Sequence, residues 1–214
     1  MIKGVIFDLD GVIVSTDEYH YLAWKQLAEK EGIVFNKEIN NRLRGVSRME
    51  SLEIILEKAN KTYSNQEKQE MAEVKNNIYL DFLDELNPKS ILSNAVEIID
   101  YLKDEGIKVA IGSSSRNTKK ILKQLGITDL FDAIADGNDI TKSKPNPEVF
   151  FVACERLGLL PDECAVIEDA ISGIEAAKAA GMTAIAINDA VKSEIADYRM
   201  KDLIEIKNLI NKVY

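Results

Sequence analysis

Val5-Ile6-Phe7-Asp8-Leu9-Asp10-Gly11-Val12-Ile13 runs from apolar residues into two carboxylates and then a glycine. The apolar part has the length of a buried strand, yet an interior strand does not end in Asp-x-Asp unless something compensates the charge. Side chains alternate along a strand, so Asp8 and Asp10 share a side for as long as the strand lasts. At the carboxyl end of a parallel strand, where open α/β sheets bind their ligands, that pair suits a metal and a phosphate. Taken alone, the nonapeptide also reads as a strand followed by an acidic Asp-Gly turn. The rest of the chain decides between the two.

Downstream of this stretch the pattern is helical. Ser15-Thr16-Asp17-Glu18 starts a helix, with Thr16 or Asp17 as the cap and acids in the first turn. Leu22, Ala23, Leu27 and Ala28 recur at helical spacing up to Gly32, and further helical runs cover Lys37 to Leu43, Met49 to Ala59 and Gln66 to Leu83. Past Pro88 the period changes. Strands are expected at Val109 to Gly112, Ala133 to Asp136, Ala165 to Asp169 and Ala184 to Ile187. They alternate with helices at Val96 to Glu105, Thr118 to Leu125, Pro147 to Leu157 and Gly173 to Ala180, and Ile204 to Val213 closes the chain as a helix. Alternation of this kind predicts an α/β fold, a doubly wound parallel sheet with helices on both faces. The expected division is a core of residues 1–14 and 88–214 interrupted by a helical domain of residues 15–87, with linkers at Val14-Ser15-Thr16 and Asn87-Pro88-Lys89.

Composition narrows the function. The 214 residues are 46% hydrophobic and 29% charged, enough for one large core or a core plus a smaller domain. The net charge of −9 weighs against a nucleic-acid or anionic-membrane surface, so a small anionic substrate would need local cations or a metal. Cys154 and Cys164 lack Cys-x-x-Cys spacing and read as reduced core thiols. No uncharged apolar run marks a membrane span, and Met1-Ile2-Lys3 passes straight into the first strand without a signal-peptide pattern. A soluble, cytoplasmic protein is expected, acting as a monomer without nucleic-acid or membrane partners.

The strand ends carry the chemistry. Asp8 and Asp10 follow the first strand, Ser113-Ser114-Ser115-Arg116 the second, Lys142-Ser143-Lys144-Pro145 precedes the helix after the third, and Glu168-Asp169 ends the fourth. In a parallel sheet these ends converge on one edge. Three carboxylates and a carbonyl make a Mg²⁺ site by hard-oxygen preference, while Ser113, Ser114 and the Lys144 ammonium would hold a phosphoryl group.

Asp8-x-Asp10-Gly11, Ser113, Lys144-Pro145 and Glu168-Asp169 resemble, in order and context, the four motifs of the haloacid-dehalogenase (HAD) superfamily, and the match spans essentially the whole chain. The resemblance implies a HAD Rossmann-like core with an inserted all-helical cap. It implies Asp8 as a nucleophile that becomes an aspartyl-phosphate, and Asp10 as general acid/base. Mg²⁺ would be bound by Asp8, the Asp10 carbonyl and Asp169, with Glu168 holding its water shell. Thr16-Asp17-Glu18-Tyr19-His20-Tyr21-Leu22-Ala23-Trp24 and Leu43-Arg44-Gly45-Val46-Ser47-Arg48-Met49-Glu50-Ser51 resemble the β-phosphoglucomutase branch. Enzymes of that branch interconvert β-glucose 1-phosphate and glucose 6-phosphate through β-glucose 1,6-bisphosphate. A bisphosphate that presents either end to Asp8 needs a second anion site, and Arg48 is the candidate because a guanidinium grips phosphate bidentately.

The branch further implies Gly45, Val46 and Ser51 around the sugar, Lys75 and Asn76 as cap contacts, and Ser115 and Arg116 as core contacts. Thr16 and His20 would position the acid/base. Arg44 and Arg116 stand where the branch is expected to carry lysine. His20 also reads as a polar gap filler and Trp24 as cap core; Ser47 and the acids Asp17 and Glu18 read as caps. Two other functions are open to the same motifs. A cap that admits water would give a sugar- or polyol-phosphate phosphatase. A phospho-accepting receiver also sets acids, a hydroxyl and a lysine on a parallel sheet, but is little more than half this length and has no use for Asp10 or a cap.

Overall fold

The computed structural model describes residues 1–43 and 46–213, the last three as backbone. The described strands are β1 (Gly4–Phe7), β2 (Lys108–Gly112), β3 (Ala133–Ala135), β4 (Cys164–Glu168), β5 (Thr183–Ala186) and β6 (Tyr198–Arg199). They pair in parallel in the order β3-β2-β1-β4-β5-β6, so β1 lies in the middle and the winding direction reverses between β1 and β4. Strands buried on both faces read as continuous apolar runs. The period of two still divides them: Val5 and Phe7 belong to the core on one face, Ile6 to the core on the other.

Helices α5 (Ala95–Asp104), α6 (Thr118–Leu125) and α9 (Ile206–Val213) cover the first face with Ile and Leu residues, whereas α7 (Glu148–Leu157) and α8 (Ile171–Ala179) cover the second. The core of that second face includes Ala110, Ala135, Ala184 and Ala186 of the sheet and Ala176 and Ala177 of α8. Small side chains on both partners let the helix backbones approach the sheet closely. Each buried Ile or Leu stabilises the fold by about 1.5–3 kcal/mol relative to its exposed state. The fold is the expected doubly wound α/β sheet.

Between β1 and α5 run α1 (Asp17–Glu31), α2 (Lys37–Asn41), α3 (Arg48–Leu56) and α4 (Asn65–Leu83). They enclose a separate apolar cluster that includes Trp24, Leu27, Leu52, Ile55 and Met71. Ser47 and Ser64 start α3 and α4 with capping boxes closed by Glu50 and Glu67. Ser47 is thus a cap, as its sequence context predicts. Ala23 of α1 and Tyr79 and Leu83 of α4 join the sheet core, so the feet of these two helices rest on the sheet. The two connecting segments run side by side: Val14 bridges Ile91, and the Leu92 amide donates to the Ile13 carbonyl at 2.9 Å. No helix among the described residues is long and apolar enough to cross a membrane.

Several boundaries differ from the sequence expectation. β1 stops at Phe7, β3 at Ala135 and β4 at Glu168, each just short of a carboxylate that turns out of the sheet. Asp8 still donates its amide to the Ile167 carbonyl at 2.9 Å, but Asp10 lies in a turn, so strand alternation does not place the two acids together. β6 carries no sequence signal: its two exposed residues pair with β5 through backbone alone. α9 starts at Ile206, after a 3₁₀ turn at Leu203–Glu205.

One tertiary tie yields a stability prediction. Arg156 on α7 donates to both Asp139 oxygens, at 2.7 and 2.8 Å, and to the Ile134 carbonyl. These guanidinium bonds hold the Asp139 carboxyl at about 2. A carboxyl depressed in the folded state adds stability above its unfolded pKa of about 3.9, and that contribution is lost as pH falls through the folded value. Urea unfolding at pH 4.5 and 2.5 should therefore show a larger acid-induced loss for the unsubstituted chain than for Asp139→Asn. Equal losses would mean that the pair adds nothing.

Candidate active site

Four segments meet at the carboxyl edge of the sheet, where β1 and β4 flank the reversal in strand order. Asp8 follows β1, Glu168 and Asp169 end β4, Ser113 follows β2, and Lys144 precedes α7. Lys144 is almost fully buried, with its ammonium in direct contact with Asp8 Oδ1 and Glu168 Oε1. Burial alone would depress this ammonium, but the two carboxylates raise its pKa above the ordinary lysine value. A cis Lys144–Pro145 peptide precedes the turn into α7.

The carboxylates outnumber the cation. Oxygens of Asp8, Glu168 and Asp169 lie within 4.8 Å of one another. Burial pushes Glu168 upward against the pull of Lys144, and burial together with the charges of Glu168 and Asp8 does the same to Asp169. A crowded set of hard oxygen donors fits a divalent cation such as Mg²⁺. Two glycines make room for the cluster. A Cβ on Gly173 would stand 1.9 Å from the Glu168 carboxyl carbon, and one on Gly11 2.2 Å from Asp169 Oδ2. Gly11 also has φ +76°, which the tight turn after Asp10 requires.

Asp10 faces away from this cluster, toward the start of α1. Its oxygens accept the Thr16 amide at 2.6 Å and the Thr16 hydroxyl. Thr16 holds the N-cap position of α1 but makes no side-chain cap bond, which corrects its reading as a cap: the hydroxyl is spent on Asp10. Behind it the Tyr79 hydroxyl lies 2.8 Å from Thr16 Oγ1, completing a relay from α4 through α1 to Asp10. Burial raises the Asp10 carboxyl to about 7 despite the Thr16 bonds. His20 Nε2 lies 3.8 Å from Asp10 Oδ2, and its ring stacks on Tyr79 at 4.0 Å. Burial, then the charges of Lys75 and Arg48, keep this imidazole neutral. Its Nδ1 lies within hydrogen-bond distance of Lys75 Nζ, at 2.8 Å, and that nitrogen lies 4.7 Å from the Trp24 and Tyr79 rings; burial, then the Arg48 charge, hold the Lys75 amine well below the ordinary lysine value.

These groups line one cavity of about 1140 Å³ between the sheet edge and the helices. On the sheet side, Ser113 Oγ accepts the Ser115 amide at 3.2 Å, and the buried Ser114 hydroxyl has no hydrogen-bond partner among the described residues. An orphan buried hydroxyl in a cavity that Lys144 also lines suits an anion. On the helical side, Arg48 Nη2 donates to Asn76 Oδ1 at 2.7 Å, and Asn117 Nδ2 donates to the same oxygen at 2.9 Å. Burial and the neighbouring Arg116 charge both lower the Arg48 pKa. Val46 and Ser51 line the same cavity. Arg44 and Gly45 fall outside the described residues. Sequence reasoning missed Tyr79 and Asn117. Tyr79 lies one turn beyond Lys75 on the same face of α4, a usable signal; Asn117 looks like an ordinary helix cap, yet its side chain turns to Asn76.

Comparison with known proteins agrees with this arrangement. A family profile described as haloacid dehalogenase-like hydrolase matches residues 2–181. The chain is 48% identical to a β-phosphoglucomutase of Bacillus subtilis, over 86% of this chain and 83% of that protein. It is 32% identical to a phosphorylated-carbohydrates phosphatase of Thermotoga maritima, with the same coverage of both chains. Among solved structures, a β-phosphoglucomutase of Clostridium difficile superposes with a TM-score of 0.92 at 39% identity, covering 100% of this chain and 99% of the other.

The contact at Gly173 is directly testable. Replacing glycine by alanine inside a helix is ordinarily stabilising, by up to about 1 kcal/mol, but at Gly173, in the first turn of α8, the methyl must displace the Glu168 carboxylate. Calorimetric titration with Mg²⁺ should show at least about tenfold weaker binding for Gly173→Ala. Unchanged affinity would remove Glu168 from the metal's surroundings.

Proposed function

The chain belongs to the haloacid dehalogenase-like hydrolase family, and on that premise we propose that it is a Mg²⁺-dependent β-phosphoglucomutase. It interconverts β-D-glucose 1-phosphate and glucose 6-phosphate, with β-glucose 1,6-bisphosphate as intermediate and activator. The observation that carries this reading is that one cavity holds two sets of groups suited to anions, one against the sheet edge and one where the inserted helices meet the loop after β2. One is formed by Lys144, Ser113 and Ser114, the other by Arg48 with Arg116. A simple phosphatase needs only the first, whereas a bisphosphate that must react at either end needs both. The 48% identity to the Bacillus mutase supports the same choice.

Asp8 attacks the phosphorus of the bisphosphate, the bond from phosphorus to the sugar oxygen breaks, and an aspartyl-phosphate remains. Asp10 gives its proton to the departing oxygen. It later takes the proton from the 6-hydroxyl of β-glucose 1-phosphate as that hydroxyl attacks the aspartyl-phosphate, regenerating bisphosphate. A carboxyl near 7 serves both directions at neutral pH. Asp8, Glu168 and Asp169, with the Asp10 carbonyl, would hold Mg²⁺, which supplies positive charge to the phosphoryl oxygens. Residues 15–87 act as a cap on a core formed by residues 1–14 and 88–214, moving about the paired linkers at Val14 and Ile91. Val46, Ser51, Trp24, Lys75, Asn76 and Ser115 complete the sugar-phosphate pocket. The enzyme works as a cytoplasmic monomer.

With Mg²⁺, β-glucose 1-phosphate and a trace of the bisphosphate, glucose 6-phosphate should form in large excess over inorganic phosphate. Predominant inorganic phosphate would make the chain a phosphatase like its Thermotoga relative.

Single substitutions separate the two acids. Asp8→Asn should abolish phosphoryl transfer, so surviving turnover would rule out the covalent route. Asp10→Asn should slow turnover by about 10²- to 10⁴-fold while substrate affinity, read by calorimetry, stays within a fewfold. An equal collapse of affinity and rate would reassign Asp10 to a structural or metal role.

A further inference from the structure

We propose that Asn138, in the turn after β3, is a positioning residue that sets the substrate-facing loop of residues 113–117 by holding Arg116. The proposal rests on the reading of Arg116 as a contact to the distal phosphate. Arg116 is exposed at the cavity wall, and a long exposed side chain is directed chiefly by the backbone that carries it. That backbone is gripped from below. Asn138 Nδ2 donates to the Arg116 carbonyl at 3.0 Å, and the Gly137 amide donates to the Ser115 carbonyl at 3.1 Å. A Cβ on Gly137 would lie 2.3 Å from the Ser114 carbonyl oxygen and 3.0 Å from both the amide nitrogen and Cγ of Arg116. The two loops are therefore in van der Waals register, with the Arg116 stem lying over Gly137.

The grip itself is fixed from the interior. Asp136 is fully buried, and its Oδ1 accepts both the Asn138 amide, at 2.8 Å, and the Asn138 side chain, at 3.0 Å. Two bonds to one buried carboxylate oxygen leave the Asn138 carboxamide a single orientation, with its second N–H aimed at Arg116. The Asp136 amide in turn donates to Asp139 Oδ2 at 2.9 Å, and Asp139 is clamped by Arg156 of α7. A continuous set of hydrogen bonds thus runs from a core helix to the carbonyl of Arg116. Nothing in it touches the reacting atoms, so its effect belongs on substrate binding rather than on phosphoryl transfer.

Asn138→Ala removes the donor but keeps the backbone bond to Asp136. The thermal midpoint and the hydrolysis of a small aryl phosphate should stay near their starting values, while KM for β-glucose 1-phosphate rises about 5- to 20-fold and kcat changes less than twofold. Asn138→Asp cannot donate to the Arg116 carbonyl and sets a second carboxylate against Asp136, so its KM defect should be at least as large as that of Asn138→Ala; a KM left unchanged would overturn the donor role. In an Arg116→Ala background, Asn138→Ala should add almost nothing, because the two act through one another. Multiplying KM effects, with Arg116→Ala itself impaired, would overturn the positioning role and leave the reading of Arg116 standing. An unimpaired Arg116→Ala would instead strike that reading, and this proposal with it.

Discussion

A buried ammonium between two carboxylates organises the sheet edge. Lys144 reaches Asp8 from the loop before α7 and Glu168 from the end of β4, so three chain segments far apart in sequence meet through one charged group. Removing one partner from such a buried set costs about 3–5 kcal/mol, because the others are left uncompensated. The charge count is also informative. Asp8, Glu168 and Asp169 carry three negative charges when ionised and Lys144 carries one positive, a deficit of two that one divalent cation cancels. Burial first, and this excess of negative charge with it, push Glu168 and Asp169 upward, and a divalent cation would relieve the excess.

Asp10 faces elsewhere, although burial raises its carboxyl as well. The turn at Gly11 directs it to Thr16, and Thr16, His20 and Tyr79 all stand on the helices that emerge from the linkers. The proposed acid/base carboxyl is therefore tied to the inserted helices, whereas the nucleophile candidate is tied to the sheet. Any movement of α1 relative to β1 would pull on the bonds that orient Asp10 and leave Lys144 and Asp8 in place. On the proposed reading, placement of the helices and readiness for proton transfer are one mechanical variable.

This division also explains what was legible in the sequence. Strand ends bearing acids, serines or lysine after apolar runs stand out, because a parallel sheet gives them only one edge to occupy, and the structure brings Asp8, Ser113, Lys144, Glu168 and Asp169 together there. Side-chain destinations were not legible. Thr16 has the composition of a cap and gives its hydroxyl to Asp10; Asn117 has the position of a cap and reaches Asn76; Asp136-Gly137-Asn138-Asp139 has the composition of a turn and holds a neighbouring loop. In each case a short polar residue has a local use and a distant one of comparable energy, and only the tertiary structure selects between them. β6 was missed for the opposite reason, since two exposed residues paired only through backbone carry no pattern.

The convergence on Asn76 bears on how the proposed enzyme would tell sugar from water. Asn76 Oδ1 accepts from Arg48 on α3 and from Asn117 on the core side, so one neutral oxygen joins the two walls of the cavity. Hydrogen bonds to a charged acceptor contribute about 1.5–3 kcal/mol, against about 1 for a neutral one. A phosphate at that position would bind the same donors more strongly and also relieve the Arg48–Arg116 repulsion. On the proposed reading, the phosphate that does not react draws the helices and the sheet together, and with them Thr16 and Asp10. Binding energy remote from the reacting bond is then spent on alignment. Water carries no second phosphate and gains none of that closure, so the same Arg48 that anchors the substrate also protects the aspartyl-phosphate from hydrolysis.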